Sequence, residues 1–294
     1  MVIVPGTIST KQFHQYLLGS VAPRPICFAS TVDQDGRPNL SPFSFFNAFG
    51  SKPPILIFSP ARRVRNNTIK HTLENIRETM EVVINVVNYN MVQQTSLASC
   101  EYPKEINEFE KSGFTPVASE MVKPFRVKES PASLECKVLN IIETGQEGGA
   151  ANLIICEVVC MHLNDDVLDA HQQIDPNKID LVARMGLDYY CRASGDAVFE
   201  VPKPNLELGM GFDQLPAFIK NSKVLTGNDL GMLANCTEIP VVEGQIGADE
   251  VLLQILSANP AGAARTEAVQ RYAQQLLAQR KITEAWQVLL AGEK

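Results

Sequence analysis

Residues 22–47 read APRPICFASTVDQDGRPNLSPFSFFN. Pro23 and Pro25 stop any helix from running through this point, since proline lacks an amide donor and clashes with the preceding turn. Ile26 to Val32 then reads as a strand, and Asp33-Gln34-Asp35-Gly36 supplies the residues of a tight turn. A second strand is expected over Asn39 to Ser44. Phe45 to Gly50 is aromatic but aperiodic and reads as an ordered loop.

Working outward, Ile55 to Ser59 is a buried strand framed by Pro54 and Pro60. Ile69, Leu73, Ile76 and Met80 recur on one helical face, with Asn66 or Asn67 as a natural N-cap. On the N-terminal side, Ser9 and Gln12 have capping-box spacing for a short helix that Gly19 ends. Further strands are expected at Val82–Val87, Ala132–Ile142 and Asn152–His162, and short helices at Met91–Ser99 and Glu105–Ser112. Many strands with Gly/Pro turns and few helices predict a mainly antiparallel barrel with marginal helices. After Val201-Pro202-Lys203-Pro204 the texture becomes helical, over 249–257, 262–279 and 283–291, with Thr283 as the cap of the last helix. The domain reading is a barrel over 1–204 and an α-helical extension over 205–294.

The chain has 294 residues and a net charge of −7, which argues against general nucleic-acid binding. Its distribution says more. Gly36 to Leu73 holds no Asp or Glu but six cations, Arg37, Lys52, Arg62, Arg63, Arg65 and Lys70. Strand ends rich in hydroxyls, a Pro-framed loop and a cation-rich helix start are what a phosphate monoester needs. The candidates are Ser30, Thr31, Ser41, Ser59, Arg62, Arg63, Arg65, Lys70 and Thr72; on charge alone, a solvated arginine loop explains the run equally well.

Several classes lack their signatures. No phosphate-loop motif occurs, Gly209-Met210-Gly211 does not follow a strand as a dinucleotide turn should, and no Gly-x-Ser-x-Gly elbow is found. The seven cysteines are scattered, and no Cys-x2-Cys or His-x3-His pair indicates a metal site. With no secretory leader and no membrane-length apolar run, a cytoplasmic protein with reduced thiols is expected.

The run from Ala22 to Asn47, together with Pro53-Pro54, Lys70-His71-Thr72-Leu73-Glu74-Asn75-Ile76, the strand ending at His162, Ile174-Asp175-Pro176 and Ala183-Arg184-Met185-Gly186, resembles the flavin-reductase-like family of FMN-binding split barrels, near flavoredoxin. The resemblance covers roughly 10–204. It implies a homodimer holding FMN in a cleft near the subunit interface. It implies that Asn39 to Asn47, including Ser41, Ser44, Phe45, Phe46 and Asn47, lines the isoalloxazine, with Arg24 beside it. Ser59, Arg62, Lys70 and Thr72 would surround the phosphate; Arg63, Ser30 and Thr31 remain cofactor-binding candidates from the charge and hydroxyl pattern. Two positions depart from the family pattern: His71 stands where Asp is common, and Leu187 where a second Gly usually follows Gly186.

Flavin N5 accepts a hydride by the ring's own electronics, so no catalytic triad is expected. His162 and Arg184 are the downstream polar residues placed near the cofactor face. His162 has the alternative of a strand residue bonded in the core or at a dimer seam, and Arg184 that of an ion pair with Asp180 or Asp188. The leading expectation is an oxidoreductase that passes hydride from NADH or NADPH to FMN. The rival is a non-enzymatic FMN electron carrier reduced by a protein partner, and a weaker third reading is an interaction protein with the barrel as scaffold.

Overall fold

In the computed structural model, which describes residues 1–202, 207–241 and 249–293, the segment that opens the barrel is strand almost throughout. β1 (Arg24–Pro25), β2 (Cys27–Val32), β3 (Pro38–Phe43) and β4 (Phe46–Ser51) follow one another, and β4 turns back into β5 (Pro54–Phe58). The aromatic stretch expected as a loop is thus an edge strand. β4 is exposed on both faces and its pairing with β5 slips between Ala48 and Gly50. A bulged edge strand need not alternate, which is why its sequence carries no period of two.

β6 (Glu81–Val86), the two-residue β7 (Pro116–Val117) and β8 (Arg126–Val127), and the long β9 (Ala132–Glu143) and β10 (Asn152–Leu163) come next. Seven strands form one antiparallel sheet in the order β3-β2-β6-β9-β10-β5-β4. Its two edges, β3 and β4, are consecutive in the chain, joined only by Ser44 and Phe45. Three Cα steps span at most about 11 Å, so the sheet must curl until its edges start from one point. The Phe43 and Phe58 rings lie 5.6 Å apart near this seam. The result is a barrel split along one side, with the Ser44–Asn47 segment at the split. β11 (Val182–Arg184) and β12 (Tyr190–Arg192) extend β1 into a separate ribbon, with Arg24 opposite Arg184.

Five helices sit at the barrel's margins: α1 (Thr10–Ser20), α2 (His71–Thr79), α3 (Val92–Leu97), α4 (Glu108–Ser112) and α5 (Pro176–Ile179). Ser9 caps α1 through the Gln12 N–H, as its spacing predicts. α2 begins later than its apolar stripe implies, because Asn67 has φ 53° and leaves the helical path; Lys70 occupies the cap position instead of Asn66 or Asn67. Leu73 and Ile76 of α2 are fully buried against Ala29, Ile84, Phe58 and Ile154, closing the barrel interior. Burying each contributes about 1.5–3 kcal/mol. A second core on the outer side packs Phe28 and Leu40 against Met91, Phe109 and Phe114. β2 is therefore buried on both faces, which explains its unbroken apolar and small-residue character.

The chain divides into two compact units, Met1–Phe199 and Glu200–Lys294. The expected boundary at 204/205 lies outside the described residues. The second unit holds α6 (Ala217–Lys220), α7 (Gly227–Ala234), α8 (Glu250–Ala258), α9 (Ala263–Ala278) and α10 (Ile282–Gly292). Its core is built on the fully buried Trp286, Leu233, Leu252 and Leu277. Thr226 and Asp229 cap α7 reciprocally. Thr283 is not the cap of the last helix: α10 starts one residue earlier, with Lys281 preceding it. Among the described residues no helix is long and apolar enough to cross a membrane.

Candidate functional site

The seam segment is tied directly to the cation-rich loop. The Ser59 N–H donates to the Phe45 carbonyl at 2.9 Å, so the chain leaving β5 runs alongside the seam segment. From there the loop 60–70 is clasped by the β9–β10 turn. Arg62 N–H donates to Ala150 O at 2.9 Å, Gly149 N–H returns to Arg62 O at 3.0 Å, and Asn67 Nδ2 donates to Gln146 O at 2.9 Å. A Cβ on Gly148 would meet backbone atoms of Arg63 and Val64 at 3.0–3.2 Å, so a larger residue would force the two loops apart by a few tenths of an ångström. Asn152, at the start of β10, donates its N–H to Ser59 Oγ and its amide to Pro60 O.

The tertiary structure sorts the six cations. Glu101, remote in sequence, takes Arg63 at 3.1 Å and Arg65 at 2.8 Å. Arg63 also donates to Thr68 and to the Ile69 carbonyl, and is thereby a brace of the loop. Arg62 is held on Asn67 through Nε and Nη2, both at 2.7 Å, and keeps further donors free. Lys70 is different. It is half-buried, and among the described residues no carboxylate pairs with it; burial, and then the neighbouring Arg63, push its ammonium below the usual lysine range. It stands at the start of α2, where among the described residues no acceptor takes the N–H of His71 or Thr72. Burial likewise holds His71 below the usual histidine range. A half-buried lysine beside two unpaired amide donors at a positive helix end is a fitting anion site.

Ser30 and Thr31 lie inside the fold, both fully buried; Thr31 Oγ1 accepts from Asn75 Nδ2, and Ser30 Oγ has no hydrogen-bond partner among the described residues. Alternation in the strand could not reveal this, because helices cover both faces of β2. Thr72 is buried too and donates its hydroxyl to Asn39 Oδ1 at 2.7 Å, leaving only its backbone N–H toward the site. Arg24 is 6% exposed and donates to the carbonyls of Leu18, Val21 and Met185, so it ties α1 and the β11–β12 turn to the seam. Its Nε lies 3.4 Å from Ser44 Oγ. Ser41, Phe46 and Asn47 lie on β3 and β4 beside the split, and Phe45 is partly exposed there, edge-on to His14.

His162 does not join this group within the chain. It lies near the far end of β10, about 30 Å of strand from Asn152. Its Nε2 is 2.6 Å from Glu135 Oε1 and 3.5 Å from Cys160 Sγ. Glu135 was invisible to sequence reading, being a charged residue at a core position of β9. Burial alone would raise its pKa, but the Glu120 and Met121 N–H groups and His162 outweigh burial and hold the carboxyl below the usual range. A slip in the β9–β10 pairing between Val158 and Cys160 brings the ligating atoms of Glu135, Cys160 and His162 within 4.8 Å of one another. Arg184 pairs with neither Asp180 nor Asp188. It stacks 4.6 Å above the Tyr190 ring and donates to Leu187 O, while Arg192 takes Asp180 through two nitrogens.

The curled, split antiparallel sheet with aromatic residues at its seam defines a split-barrel class. Residues 18–180 match the flavin reductase like domain, and the chain belongs to that family. An uncharacterised protein of Aquifex aeolicus is 36% identical over 188 residues, covering 64% of this chain and 93% of the relative. The solved structure of nitrilotriacetate monooxygenase component B from Bacillus cereus superposes with a TM-score of 0.64 at 26% identity, over 68% of this chain and 98% of that one. The 2-nitrobenzoate 2-nitroreductase NbaA of Pseudomonas fluorescens gives 0.61 at 26% identity, over 69% and 96%.

Proposed function

We propose that the barrel binds FMN and passes a hydride to it from NADH or NADPH. The single observation that carries the reading is Lys70, a half-buried cation without a carboxylate among the described residues, one loop away from the aromatic seam. A phosphate there meets the Lys70 ammonium, the N–H groups of His71 and Thr72, and the free donors of Arg62. The ring then falls to Ser44–Asn47, where Phe45 and backbone groups of two edge strands are accessible. A flavin held there would supply the hydride-accepting chemistry. The protein's part is to orient the ring and leave one face open to the nicotinamide. His162 takes no part in this site within one subunit.

A homodimer belongs to the same proposal. Leu139, Ile142, Val159 and Met161 stand exposed along β9 and β10, where a second copy would cover them. A cytoplasmic setting is in keeping with the free cysteines. The electron-carrier reading draws on Phe49, Leu187 and Tyr189, all more than half exposed, as a docking surface for a protein donor.

Anaerobic mixing of the FMN-loaded protein with NADH or NADPH tests the choice. Bleaching of the flavin is expected. No bleaching by either nucleotide, with dithionite still effective, would replace the oxidoreductase by the electron carrier.

A further inference from the structure

A second cleft lies in the barrel unit between α3 and the β11–β12 ribbon, with a volume of about 400 Å³. That is within the usual range for small-molecule sites, about 300–1,000 Å³. Its walls include Tyr89, Gln93, Arg184, Asp188, Tyr190 and Arg192. Both tyrosines are partly exposed, at 49% and 38%. Each carries a guanidinium on one side: Arg192 lies 4.0 Å from the Tyr89 ring centre and Arg184 lies 4.6 Å from that of Tyr190.

The two arginines are not equivalent. Arg192 is neutralised by Asp180 through two nitrogens, at 2.7 and 2.8 Å. Among the described residues Arg184 has no carboxylate partner, and its one hydrogen bond goes to the Leu187 carbonyl at 2.6 Å. A guanidinium has five N–H donors, so most remain for an anion in the cleft. Asp188, exposed on the same wall, has no hydrogen-bond partner among the described residues. It accepts hydroxyl donors and repels a second anion. Aromatic rings for a base, a guanidinium for one phosphate and a free carboxylate for ribose hydroxyls together describe a nucleoside monophosphate. A simple aromatic carboxylate would use the ring and the arginine but would gain nothing from Asp188.

The cleft also adjoins the flavin seam. Arg184 is the strand partner of Arg24, whose Nε is 3.4 Å from Ser44 Oγ. Resting on the flavin oxidoreductase reading, we propose that this cleft holds the AMP half of the reduced nicotinamide dinucleotide. Arg184 takes its phosphate, and Asp188 takes the free 2′-hydroxyl, which selects NADH over NADPH. The general logic is that a carboxylate on the ribose 2′-hydroxyl disfavours a 2′-phosphate.

Two measurements on the full-length, FMN-loaded protein test this. In calorimetric titration, AMP should bind and adenosine 2′,5′-bisphosphate should bind at least tenfold more weakly. Asp188→Asn should close that gap, and Arg184→Met, which keeps an apolar stem over Tyr190, should abolish AMP binding without lowering Tm. In anaerobic bleaching, Arg184→Met should raise the NADH concentration for half-maximal rate at least tenfold. It should leave the rate with reduced nicotinamide mononucleotide, which has no AMP half, unchanged. Equal loss with both donors would overturn the proposal by placing Arg184 at the flavin. Binding of benzoate but not AMP would overturn it in favour of an aromatic-acid site. If neither donor bleaches the flavin, the oxidoreductase reading fails by itself, and the AMP titration still decides the cleft.

Discussion

Lys70 and Leu187 show how single positions carry this protein's behaviour. Half-burial and the neighbouring Arg63 disfavour the Lys70 ammonium, and a phosphate at the proposed site would offset that cost. Lys70→Ala is expected to weaken FMN binding by about 1.5–3 kcal/mol, the worth of one charge-assisted contact, or roughly tenfold to more than a hundredfold in Kd. Riboflavin, which lacks the phosphate, should bind the variant as it binds the parent; a fluorescence titration of both flavins gives the comparison. An equal loss for both would assign Lys70 to the fold rather than the phosphate. Leu187 has φ 53° in the turn closed by Met185 N–H to Tyr189 O, and its side chain is 61% exposed. The left-handed conformation costs a leucine about 1–2 kcal/mol, and little burial compensates it. Leu187→Gly is expected to raise Tm or leave it unchanged despite the added chain entropy; a clear drop in Tm would show that Leu187 has a packing partner, as at a subunit contact.

Pairs of elements explain what no single residue does. The β9–β10 turn and the loop 60–70 pack most closely at Gly148, where a Cβ would meet the Arg63 and Val64 backbone at 3.0–3.2 Å. Gly148→Ala should push the phosphate loop outward and weaken FMN while leaving the barrel core intact. Parent-like far-UV circular dichroism with a raised Kd is the expected pair of results, and an unchanged Kd would release the clasp from any role in binding. On the other side of the same hairpin, Glu135 accepts from two backbone N–H groups and from His162. Its folded pKa is below its ordinary value of 4.5, so its stabilisation is fully present above that value and is lost as pH falls through the lowered folded value. Glu135→Gln leaves a buried donor poorly met and should cost about 1–3 kcal/mol at neutral pH. Denaturant midpoints of parent and variant should converge as pH falls below the lowered folded value; a gap independent of pH would mean that shape, not charge, matters at this position.

For the whole molecule, the open question is assembly. In the proposed homodimer a second copy covers exposed apolar residues of β9 and β10, and each protomer has a mass of 32.3 kDa. Light scattering should report twice that mass. Met161→Asp, exposed and outside both proposed ligand sites, should shift the protein toward the monomer; a parent-like dimer would move the interface elsewhere.

Strand and helix periods, turn residues and caps were readable along the chain because each is a local property. Ser9, Asp35-Gly36, Pro54 and the Leu73/Ile76 stripe act on their neighbours within a few residues. The long run from Ala22 to Asn47 places the family, whereas the concentration of Arg62, Arg63, Arg65 and Lys70 by itself leaves an anion site and a solvated loop equally open. Tertiary structure decided which of these groups remain available, because charges are compensated by residues distant in the chain. Glu101 takes Arg63 and Arg65 out of play and leaves Lys70. Helices on both sides of β2 bury Ser30 and Thr31, which alternation would have offered one at a time to opposite faces. Glu135 lies 27 residues from His162, and only the register of two strands brings them together. Local propensity follows the chain, whereas burial and charge compensation depend on what folding brings alongside it.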